Sequence, residues 1–129
     1  MLRSLLRKLG LLREMSAADP ARRPFQAGDL VSVVASDGAF AIAKLLAVDD
    51  VGVHIRLYAE RFHQRPSAAS VHHLSLGPNS DGRAFSAGHL PLTFDSFARW
   101  EPSLIDRGAV DHDELEGFRI WEEHQGGYF

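Results

Sequence analysis

Residues 28–58 read GDLVSVVASDGAFAIAKLLAVDDVGVHIRLY, and this stretch decides the fold. The valine-rich run Asp29–Ser36 predicts a strand. Asp37-Gly38 is the pair favoured in type I′ hairpins, where both central residues take positive φ, so it predicts a tight turn. From Ala39 to Val48 the chain alternates. Phe40, Ile42, Lys44, Leu46 and Val48 share one face, and Ala39, Ala41, Ala43, Leu45 and Ala47 share the other. Asp49-Asp50 marks a second turn. Val51, Val53, Ile55 and Leu57 then point one way, and His54, Arg56 and Tyr58 the other. Three strands joined by short turns form a meander, the start of a small curled antiparallel sheet or partial barrel.

Downstream, Val71–Leu76 reads as a further short strand and Gly77–Gly82 as a loop. Phe85 and His89–Leu92 add a last strand or an ordered crossing. Thr93 caps a short helix carrying Phe94, Phe97 and Trp100, and the Glu101-Pro102 step ends it. A second helix starts at Asp111, with Glu114 completing a capping box and Val110 and Leu115 placed as a hydrophobic staple. Leu115, Phe118 and Trp121 supply its buried face, and Gly126-Gly127 stops it. The fold class is α+β, a curled sheet or partial barrel covered by two C-terminal helices.

Upstream, Leu2, Leu5, Leu6, Leu9 and Leu12 line one side of an amphipathic helix over residues 1–14, with Arg3, Arg7 and Lys8 opposite. Residues 1–24 are thus a helix and linker, and residues 25–129 a single α+β domain. The longest apolar run in the helix is two leucines, too short for a secretory signal or a membrane span. The helix packs on its own domain or a second copy, docks on a partner, touches a membrane surface or serves as a targeting peptide. A cytoplasmic location is expected.

Composition narrows the function. The chain has 129 residues, a net charge of −3 and no cysteine, which excludes disulfides, thiol nucleophiles and thiolate metal sites. Its mild acidity argues against general nucleic-acid binding. The charge is unevenly spread: Arg and Lys dominate residues 1–23, whereas residues 100–129 hold eight acids against Arg107 and Arg119. His72 and His73 are adjacent and would face opposite ways on a strand, and no HExxH pair occurs. Asp111–Glu116 begins like a calcium loop but places Glu116 where the turn glycine belongs. No nucleophile elbow, dinucleotide fingerprint or phosphate loop is present. No metal, cofactor or catalytic residue is therefore expected, and the protein is not read as an enzyme. His54, Arg56 and Tyr58, followed by Arg61, Phe62 and His63, combine residue types enriched at interfaces and are the candidate partner-binding residues.

Gly28-Asp29-Leu30-Val31-x-Val33, followed by Asp37-Gly38-x-Phe40-x-Ile42-Ala43-Lys44-Leu45-Leu46, resembles the opening of bacterial immunity proteins from polymorphic-toxin systems. The resemblance covers residues 28–58. The later run His89-Leu90-Pro91-Leu92, Phe97, Trp100, Pro102, Glu114-Leu115-x-Gly117, Trp121 and Gly126-Gly127-x-Phe129 is similar to uncharacterised bacterial proteins. The resemblance implies a non-catalytic protein that binds and neutralises a cognate toxin. The acidic C-terminal third would suit a basic partner. Two alternatives stay open: a small-barrel module reading a peptide or nucleic acid through His54, Arg56 and Tyr58, and an uncharacterised enzyme. Self-association through residues 1–14 is also compatible with the sequence.

Overall fold

The computed structural model describes residues 25–68, 71, 73–76 and 85–129. The helix and linker expected over residues 1–24 and the loop expected at 77–82 lie outside the described residues. Five strands form one antiparallel sheet: β1 (Leu30–Val34), β2 (Phe40–Val48), β3 (Gly52–Leu57), β4 (Ala87–Thr93) and β5 (Ser103–Asp106). Their order is β4-β3-β2-β1-β5. The meander is as the alternation predicts. The sheet is open, as a curled sheet or partial barrel is, and does not close into a full barrel. A barrel encloses one face of its sheet, whereas here both faces are covered by other parts of the chain.

One face is hydrocarbon. Val31, Val33, Ala41, Ala43, Leu45, Val53, Ile55, Leu57 and Leu92 form a single buried cluster with Phe25. Phe94 and Phe97 of α1 (Phe94–Arg99) complete it, and Phe97 meets Phe25 edge to face at 5.7 Å. The Thr93 hydroxyl accepts the Ser96 N–H at 3.1 Å, the cap expected from the sequence.

The opposite face holds the polar groups. Beside the fully buried Ile42 it carries Ser32, which accepts from Arg65, and Lys44, His54 and Arg56, which are covered by a 3₁₀ turn (His112–Leu115) running into α2 (Glu116–Glu123). The Glu114 carboxylate accepts the Asp111 N–H at 2.8 Å, as the capping box predicts. The helix itself is shorter than expected because its first turn is 3₁₀. Its apolar face is half-buried rather than sealed, since it spans eight residues and lies over polar side chains.

Three further expectations need correction. The first hairpin is not type I′. The Gly38 N–H bonds the Ala35 carbonyl at 3.0 Å and only Gly38 takes positive φ (+87°), which describes a three-residue loop with a glycine bulge. Residues 73–76 form no strand; Ser75 is instead tied to Glu60, its N–H at 2.9 Å and its hydroxyl at 2.7 Å from the carboxylate. Gly126 does not occupy the left-handed position after α2. Gln125 does, at φ 51°, while the Gly126 N–H closes onto the Trp121 carbonyl at 2.9 Å, a Schellman ending.

β5 is absent from the sequence reading. It holds only Leu104 and Ile105 between polar residues, too little for a strand signal, and pairing with β1 supplies its order. The outer edge of β4 is partly blunted by the C-terminal tail: the Phe129 N–H donates to Pro91, and the Thr93 N–H to Phe129. No helix among the described residues is long and apolar enough to cross a membrane.

Candidate functional site

The two faces concentrate different chemistry. On the polar face the β2–β3 register shifts between Leu45 and Ala47, so that Ala47 stands opposite His54. His54 is 0% exposed. Its ring lies 4.5 Å from Trp121 and 4.7 Å from Phe118, both edge to face, and is stacked on His89 at 5.2 Å. Gly117 allows α2 this close, because a Cβ there would meet the His89 Cβ at 2.7 Å.

Both His54 nitrogens are used. Nε2 lies 2.8 Å from Asp49 Oδ2 and Nδ1 lies 3.0 Å from His89 Nε2. Asp49 also accepts the Tyr128 hydroxyl on Oδ2 and the N–H groups of Val51 and Gly52 on Oδ1, each at 2.9 Å. Burial would raise the Asp49 pKa, yet these hydrogen bonds outweigh it and hold the carboxyl well below its usual range. Asp49 Oδ2 thus accepts from the His54 Nε2–H, and the Nδ1–Nε2 hydrogen bond couples the two imidazoles. Burial and the neighbouring His54 lower His89 to about 4, so it is neutral at pH 7. Burial and the Asp49 carboxylate push Tyr128 up to about 12.

An Asp–His–His chain invites a proton-relay reading. Such a relay needs a nucleophile or a substrate pocket at its end. No serine or threonine hydroxyl bonds to His89 among the described residues. The chain ties the β2–β3 turn, β4, α2 and the C-terminal tail together. Beside it, Lys44 Nζ donates to Glu114 at 2.9 Å, and Arg56 reaches the carbonyls of Gly88 and Glu114 at 3.4 and 3.5 Å.

On the hydrocarbon face the cover is incomplete. A cavity of about 390 Å³ opens between the sheet and the end of α1, walled by Val33, Ala41, Leu57, Leu90 and Trp100. Arg61, Arg99 and Phe85 stand at it, and Phe85 is 60% exposed. Arg61 Nη1 donates to the carbonyls of Tyr58, Ala59 and Glu60 at 3.0–3.1 Å, and Nη2 to that of Phe85 at 2.8 Å. Neither guanidinium forms an ion pair among the described residues.

The six residues singled out from the sequence therefore do not share one surface. His54 is sealed under α2, and a partner reaches it only if that helix lifts. Arg56 and Tyr58 are half-buried, and Arg56 is bound to the 3₁₀ turn. Phe62 exchanges both backbone bonds with Phe40 at 2.8 Å, and His63 is exposed. Of the six, Arg61 alone lines the described cavity. Its companions Phe85, Arg99 and Trp100 lie 24 or more residues further along the chain. Their one sequence signal is residue type, arginine and aromatics in segments that otherwise read as loop and helix end.

No family model, curated protein or solved structure matches the chain.

Proposed function

We infer that the protein is a non-catalytic binding module that engages another protein through the cleft at the end of α1. The observation that carries this reading is a concave apolar wall flanked by Trp100, an exposed Phe85 and two arginines that form no ion pair among the described residues. Trp, Arg and large aromatics dominate interface energetics, because they combine buried area with directed hydrogen bonds. The polar face offers the opposite condition. Its ionisable groups are spent on one another, which suits a scaffold and leaves little for a partner or substrate.

An immunity protein is the form of this reading that the resemblance of residues 28–58 supports. Such a protein needs no chemistry of its own; it neutralises a toxin by covering a surface the toxin requires. The test is capture of the tagged full chain from its native host, followed by binding measurements with the purified partner. Phe85→Ser is expected to weaken that binding at least tenfold while leaving the melting temperature unchanged. A partner that binds the variant as tightly as the parent contacts another surface.

A further inference from the structure

Arg61 and Arg99 bring two permanent positive charges to one apolar cavity. The four carbonyls around Arg61 fix its orientation, and the neighbouring Glu60 carboxylate feels its charge without forming an ion pair with it. Arg99 lies in the last turn of α1, where a cation also complements the helix end. That role is served by any orientation along the helix, however, and does not require the mouth of a cavity. Asp95, one turn earlier on α1, forms no ion pair with it. A wholly apolar occupant would strip water from both guanidiniums and return nothing. A basic occupant would be repelled, and this applies to the arginine-rich residues 1–23 of the chain itself.

We propose that the cleft takes a partner segment in which one large apolar side chain is flanked by carboxylates. The proposal rests on the reading of the cleft as the binding site and names the chemistry of what enters it. The apolar side chain fills the space between Val33, Leu57, Leu90 and Trp100. The carboxylates meet the Arg61 and Arg99 guanidiniums, whose planar forks match carboxylate geometry. At about 390 Å³ the cavity lies near the small end of ligand pockets, roughly 300–1,000 Å³. It has room for a side chain or two of an entering segment.

The test is an NMR titration of the ¹⁵N-labelled full chain, following the Trp100 indole N–H and the Leu90 amide. Three probes are used: the peptide acetyl-Asp-Phe-Asp-Asp-amide, the same peptide with glycine for phenylalanine, and a synthetic peptide of residues 1–14. The first is expected to shift both signals saturably, and the second to bind at least tenfold more weakly. The third should neither bind more tightly than the first nor displace it. Arg99→Glu should weaken the first probe at least tenfold, whereas Arg99→Lys, which keeps the charge and loses the planar fork, should weaken it by a smaller factor. Arg99 is exposed, and an unchanged thermal transition for both variants separates charge from folding.

The proposal is overturned if the first probe leaves Trp100 unmoved, if Arg99→Glu binds it undiminished, or if residues 1–14 prove the tighter ligand. The partner assay separates this outcome from failure of the cleft. If Phe85→Ser still weakens the native partner while the acidic peptide does not bind, the cleft stands and its chemistry is wrong. If Phe85→Ser is also silent, the cleft itself is not the interface.

Discussion

The two faces of one sheet are built on opposite terms. Beneath α1, β-strand positions such as Val53 and Ile55 contribute only hydrocarbon, and stability there comes from area removed from water. Beneath α2, the intervening His54 is buried as completely, yet it is held by hydrogen bonds to Asp49 and His89 and by four aromatic rings. The face rich in titratable groups is the closed one. The face made of plain apolar residues is the one left partly open, with arginines at its mouth. Residue types that suggest chemistry are therefore weak guides to a site until their partners are counted.

The largest effect is expected on the hydrocarbon face. Phe97 is fully buried between the sheet and Phe25, so Phe97→Ala should cost about 3–5 kcal/mol in equilibrium denaturation. A loss below about 1 kcal/mol would mean that α1 is not part of the core.

His54→Ala should cost somewhat less, about 2–3 kcal/mol, because His89 loses its buried hydrogen-bond partner and the ring cage loses its centre. Asp49 is spared the full penalty, since its side chain is 38% exposed and water can replace His54. A silent His54→Ala would erase the distinction between the faces.

The pH dependence probes the same network. His89 titrates at about 4 in the fold, against about 6.5 in an unfolded chain. Unfolding thus takes up a proton between those values, so this contribution is complete above about pH 6.5 and declines as pH falls towards 4. Partial exposure of His89 limits the loss to about 1–2 kcal/mol. Asp49, held low by its hydrogen bonds, adds a second decline that begins only below about pH 4. His89→Gln should remove the first decline and keep the second, as read from denaturation midpoints across pH 3–8.

Much of this was legible in the sequence, and the gaps have physical causes. Alternation along residues 39–58 identifies the meander and assigns His54 and Arg56 to the face opposite Val53 and Ile55. Thr93 and Asp111 announce their caps, since an N-cap is decided within four residues. What escapes is everything set by distance along the chain. His54 looks exposed until α2, over 60 residues later, lies across it. The spacing of Phe118 and Trp121 one turn apart, with Gly117 before them, is the only hint of what covers that face. The cavity is assembled from residues between 33 and 100, and no local pattern marks it.

The smallest predicted effect concerns the end of α2. Gln125 holds φ 51° in a Schellman ending that glycine adopts without strain. Gln125→Gly should stabilise the fold by about 0.5–1 kcal/mol, seen as a higher melting temperature. Destabilisation would show that the Gln125 side chain contributes more than its backbone costs.

The division of labour between the faces is tested most directly by one binding experiment on two variants. The affinity of the purified native partner is measured for Arg99→Glu, at the cleft, and for His89→Gln, in the polar network, at pH 7 where both are folded. Arg99→Glu is expected to lose at least tenfold and His89→Gln to bind like the parent chain. Loss of binding by His89→Gln with Arg99→Glu unaffected would contradict the account and place recognition on the face beneath α2.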